Sequence, residues 1–85
     1  MMENKDFTVV DVRTRAEFMG GNVAGSINIP LQALDGSLGK LKKDKTIITC
    51  CASGMRSASA KGILKSKGFD VHNGGGWHSL QSKIR

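Results

Sequence analysis

A three-layer α/β/α fold around a mostly parallel sheet is what this sequence predicts, and three observations predict it. Short β-branched runs alternate with stretches that carry apolar residues at helical spacing. Glycine or proline stands at several of the junctions between them. The 85 residues suffice for one modest core and are too few to divide, so residues 1–85 are read as a single domain.

FTVVDVR, residues 7–13, is rich in β-formers and ends in charged residues, and the RAEF that follows suits a short helix. GGNVAG reads as a loop, and SINIP, residues 26–30, as a brief strand or extended entry. Pro30 suits the head of a helix because its missing N–H is not needed there. In LQALDGSLGKL, Leu31, Leu34, Leu38 and Leu41 recur at spacings of three and four and form one apolar face. Gly36 and Gly39 predict that this helix is short or broken. KTIITCC is the clearest strand: Lys45 marks its entry and residues 46–49 are all β-branched. RSASAKGILKSKG follows as a helix with Ala58, Ala60, Ile63 and Leu64 facing inward and Gly68 as its stop. FDVHN predicts another strand, GGG at residues 74–76 a turn, and WHSLQSKIR a last helix carrying Trp77, Leu80 and Ile84.

Charge is divided unevenly. Residues 1–39 hold three Lys/Arg and five Asp/Glu; residues 40–85 hold ten and two, within a net charge of +6. The basic half carries the cysteines, and such a field would concentrate small anions; the plainer reading of these lysines is a solvated surface, and that reading is favoured. A nucleic-acid partner is not expected, because Phe7, Phe18, Phe69 and Trp77 show no interleaved stacking pattern. No membrane partner is expected either, since no apolar run reaches the length of a span. The start, MMENKDFTVVDV, has no charged-then-apolar leader, so nothing in it argues for export and a cytoplasmic location is expected. Two adjacent cysteines make a poor disulfide, because a bridge between neighbours closes almost no loop, and reduced thiols are expected.

Those cysteines, Cys50 and Cys51, lie where the clearest strand breaks into a small loop that opens into a helix. Such a junction aims several backbone N–H groups at one point, and the positive end of the helix adds to them. Both effects favour a thiolate, so a cysteine there titrates below a free thiol. Ala52, Ser53, Gly54 and Met55 form the loop, whose small residues let the backbone curl round a ligand, and Arg56 closes it with a permanent charge. Together they describe a covalent site for an anion. Two registers are open: Cys-x4-Arg from Cys51, or Cys-x5-Arg from Cys50, the spacing of cysteine-dependent phosphatases. Alternation along the strand turns Cys50 toward the core as Cys51 reaches the loop. Asp11 is a candidate to orient Arg56 or, equally, to serve a local turn or cap. His72 and His78 lack partners at zinc spacing and are read as solvent-facing or packing residues.

The sequence resembles the rhodanese family of sulfurtransferases in its compact single-domain form. VVDVRTRAEF is similar to the family's first strand and its DVR turn, GNVAGSINIPL to its GHIPGAINIP element, CASGMRSA to its active-site loop, and GFDVHNGGGW to its closing strand and glycine turn. Four such elements in order are far more specific than a single Cys-x4-Arg. The resemblance implies that Cys51 carries a persulfide, with the loop N–H groups and Arg56 supporting an anionic donor. Asn22 stands where the family often has histidine, Cys50 where many members have tyrosine or another strand residue, and an opening strand–helix unit of longer members has no counterpart before the DVR strand. The expected function is therefore a monomeric sulfurtransferase that takes sulfur from thiosulfate and gives it to a thiol, cyanide or a protein acceptor. No metal or organic cofactor is expected. The rival readings are a phosphatase acting through Cys50 and a non-catalytic binding module of the same fold.

Overall fold

The structure is a computed structural model that describes residues 7–84. Four strands, β1 (Phe7–Asp11), β2 (Ile27–Asn28), β3 (Thr46–Cys51) and β4 (Val71–Gly76), form one parallel sheet in the order β2-β1-β3-β4. Helix α1 (Arg15–Met19) follows β1, α2 (Met55–Ser66) crosses from β3 to β4, and α3 (Trp77–Ile84) follows β4.

Strict alternation along β3 builds a core on each face of the sheet. Ile47 and Cys51 join Val10, Val12, Ile29, Leu34, Ala60, Leu64 and Val71 on the α2 side. Ile48 and Cys50 join Val9, Val23 and Leu80 on the α3 side, with Trp77 packed against them. Both faces are covered, as an all-parallel sheet requires.

The leucine segment after β2 forms two 3-10 turns, Leu31–Ala33 and Asp35–Lys40, in place of one helix. Leu34 and Leu41 still turn inward, so the apolar face survives the break that its glycines impose. In α2 the inward row is Ser57, Ala60 and Leu64, with Ile63 partly buried; Ala58, expected inside, is exposed.

The glycine triplet is the larger correction, because residues 74–76 continue β4 and do not form the expected turn. A Cβ on Gly74 would come within 2.8 Å of Ile48 Cγ2 and of the Thr49 carbonyl oxygen, so only glycine lets β4 lie this close to β3. The register between these strands slips between Thr49 and Cys51, which pairs Cys51 with Gly76 and bends the strand end over the loop.

The lysines follow the reading of a solvated surface and do not form a field around the cysteines. Lys40, Lys42, Lys43 and Lys45 precede β3, while Lys65 and Lys67 lie at or just past the end of α2. Since β3 runs toward the cysteine loop and α2 runs away from it, these six gather at the opposite end of the sheet. The Lys43 ammonium lies 5.5 Å from the Phe69 ring centre, joining the two groups there.

Candidate active site

The end of β3 delivers Cys51 and the start of α2 surrounds it. Gly54 adopts φ 105°, a left-handed turn that glycine takes without strain, and this reverses the loop into the helix. The reversal aims N–H groups at the Cys51 sulfur: Gly54 N–H donates to Sγ at 2.9 Å and Ser57 N–H at 3.4 Å. The thiol in turn donates to Ser57 Oγ at 3.6 Å.

Cys51 is only 1% exposed, enclosed by the loop it opens. Burial pushes its pKa up, yet the hydrogen bond shared with the Ser57 side chain and those from the N–H groups of Ser57, Gly54 and Ser53 outweigh it. The thiol ends below its ordinary value. Cys50, one residue earlier, is wholly buried in the opposite core, and burial beside Asp11 pushes its pKa up to about 12. A phosphatase register would need the Cys50 sulfur inside the loop; the pleat of β3 puts it on the other side of the sheet. Ala52, Ser53 and Met55 are exposed around the loop, and Gly54 is half-buried.

Arg56 does not turn to Asp11. Its guanidinium makes a two-pronged pair with Glu17, Nη1 to Oε1 at 2.7 Å and Nη2 to Oε2 at 3.0 Å. Asp11 instead binds Arg13, whose Nε and Nη2 donate to the carboxylate at 2.9 and 2.7 Å and whose backbone N–H adds a third bond. The physical reason is reach: the chain turns at Arg13 and folds it back over a carboxylate two residues away, within a buried setting where either charge alone is costly. Arg13 also donates to the Gly21 carbonyl at 2.6 Å and lies 4.9 Å from the Trp77 ring centre. The Asp11–Arg13 pair is thus a packing device beneath the loop.

Glu17, Ser57 and Asn73 are site residues that sequence reading missed. Glu17 also completes a capping box at the head of α1, accepting from Thr14 N–H at 2.9 Å while Thr14 Oγ1 accepts from Glu17 N–H. The cap alone was legible, as Thr-x-x-Glu. Asn73 Oδ1 accepts from the Ser57 hydroxyl at 2.6 Å and from Gly75 N–H at 2.9 Å, linking β4 to the cysteine loop.

A parallel sheet with a thiol held at a strand end by converging N–H groups, and a helix start closing over it, defines a protein of the cysteine-loop α/β class. More narrowly, this chain belongs to the rhodanese-like domain family, whose model matches residues 1–83. It is similar to the rhodanese-like domain protein of Staphylococcus aureus, with a TM-score of 0.83 and 31% identity over 93% of this chain and 78% of that one. It is also similar to thiosulfate sulfurtransferase GlpE of Shewanella oneidensis, 30% identical over 70 residues, which are 82% of this chain and 69% of that protein. The Bacillus subtilis protein YqhL is 33% identical over 79 residues, 91% of this chain; the match spans 63% of YqhL's own length.

Proposed function

We propose that the chain is a sulfurtransferase in which Cys51 carries sulfane sulfur as a persulfide. The observation that supports this reading is the Cys51 sulfur itself, held by Gly54 N–H at 2.9 Å and Ser57 N–H at 3.4 Å at the head of a helix. The Cys51 thiolate attacks the outer sulfur of thiosulfate. A new S–S bond forms as the old one breaks, and sulfite leaves with the electron pair. The terminal sulfur of the persulfide then carries the negative charge that the loop N–H groups and the helix start stabilise. A thiol, cyanide or protein thiolate attacks that terminal sulfur, and the Cys51 thiolate departs with its electrons restored. The chemistry closes without an outside oxidant or reductant. Arg56, tied to Glu17, holds the loop and contributes a partly neutralised charge to the anion.

Intact-mass measurement after incubation with thiosulfate tests this. The wild-type chain and Cys50→Ser gain one sulfur atom, and Cys51→Ser gains none. Loss of the added sulfur in Cys50→Ser with retention in Cys51→Ser, both folded, would overturn the assignment.

A further inference from the structure

Three acceptors surround one hydroxyl at the heart of the loop. Ser57 Oγ lies 2.6 Å from Asn73 Oδ1, 3.0 Å from the Gly54 carbonyl oxygen and 3.6 Å from Cys51 Sγ, and it has a single proton to give. The orientation of the Asn73 amide is set by its other contacts. Gly75 N–H can only donate, so the atom 2.9 Å from it is the oxygen, and Nδ2 is left to face the Gly54 carbonyl at 3.4 Å. A serine oxygen 2.6 Å from an amide oxygen must donate to it. The Ser57 proton therefore points at Asn73, and the sulfur meets a lone pair of Ser57.

That arrangement suits the thiol, whose S–H donates to the lone pair. It does not suit the thiolate, which needs a donor in the same place. To stabilise the anion, Ser57 must swing its proton off Asn73 and leave Oδ1 with Gly75 alone. We propose that Asn73 is a positioning residue that limits how much thiolate Cys51 carries, by competing with the sulfur for the one proton of Ser57. The device is local to β4 and α2 and involves no contact between Asn73 and the sulfur.

Other charged or titratable groups near Cys51 do not enter the competition. Arg56 on α2 is paired with Glu17 of α1. Cys50, Asp11 and Arg13 sit on the opposite face of the sheet or pair with each other beneath it. His72 of β4 lies 3.8 Å from Asp70, His78 of α3 stacks on Trp77, and Asp35 and Lys40 in the second 3-10 turn are exposed. Lys61 is part-way down α2, two turns from the loop.

The inference rests on Cys51 being the nucleophile of the proposed transfer, yet its readout is a thiol titration that needs no sulfur donor, so either can fail without the other. The experiment follows the pH dependence of iodoacetamide labelling, assigned to Cys51 by fragmentation mass spectrometry, in the full chain. Asn73→Ala frees the Ser57 proton and is expected to lower the labelling midpoint by about one pH unit, or about tenfold more thiolate below both midpoints. Asn73→Asp keeps the acceptor and is expected not to lower it. Ser57→Ala raises the midpoint, and in that background Asn73→Ala has no further effect. A midpoint that is unchanged or higher in Asn73→Ala would overturn the proposal. So would an equal fall in the Ser57→Ala background, which would mark Asn73 as a loop tether only.

Discussion

Glu17 serves two elements with one carboxylate, since it caps α1 and clamps the guanidinium of Arg56 on α2. The hydrogen bond from Arg56, aided by the Thr14 N–H, holds its pKa down to about 2 from an ordinary 4.5. The sign of the pH effect follows. A carboxyl with a lower pKa in the folded state stabilises the fold fully above its unfolded value and loses that contribution as pH falls through the folded one. Glu17→Gln should therefore melt below the wild type at pH 7, and the two melting curves should converge as pH drops from about 4.5 toward about 2. Both side chains of the pair are 37% exposed, so added salt should also narrow the gap. A gap that persists at pH 2 would show that the mutation acts through the amide and not through the lost charge. Why Arg56 pairs with Glu17 was not legible, because the partners stand 39 residues apart and meet only once the sheet sets β1 beside β3. The Asp11–Arg13 pair, two residues apart, was within reach of local reading, which left Asp11 evenly between a local turn role and Arg56 because both arginines stand near the loop.

Strand β4 depends on what its glycines lack. Gly74→Ala would place a Cβ 2.8 Å from both a side-chain carbon and a backbone oxygen of β3, and neither can move without opening the sheet. A destabilisation of about 1–3 kcal/mol is expected from such overpacking, read as a lower urea midpoint with an unchanged slope. Gly36→Ala, where nothing lies within 4 Å of the added carbon, is the control and should unfold close to the wild type. An equal fall in both would argue against close approach as the reason for Gly74. The same strand shows where sequence reading stops. β1, β3, α2 and the opposite facing of the two cysteines were legible, because β-branching and two-residue alternation are local signals. Three consecutive glycines are a local signal for a turn, and only the surroundings reveal that Gly74 and Gly76 are close-packed while Gly75 takes a left-handed φ of 77° in open space. Ser57 hid for a related reason: its neighbours in sequence mark a helix, while its hydroxyl answers to Asn73 on the adjacent strand.

Among the described residues, the lysine cluster and the cysteine loop stand at opposite ends of the sheet. β3 is six residues long, so its ends lie about 17 Å apart at about 3.3 Å per residue. This exceeds the screening length of about 10 Å at 0.1 M salt. Arg56 beside the loop and Arg13 beneath it each carry their own carboxylate. In the proposed transfer, the distant lysines should consequently do little for thiosulfate capture. Lys43→Gln with Lys67→Gln should leave kcat/KM for thiosulfate within about twofold of the wild type at 0.1 M salt. A loss of about tenfold would restore a steering role for the overall field. Composition alone could not separate the two possibilities, since lysines and cysteines share the second half of the chain and part only when β3 and α2 run in opposite directions. The lysine end has a mechanical consequence. Any negatively charged surface on which the molecule settles, from an ion-exchange bead to an acidic protein, grips it by that end and leaves the cysteine loop facing outward, so adsorption and reaction use different faces.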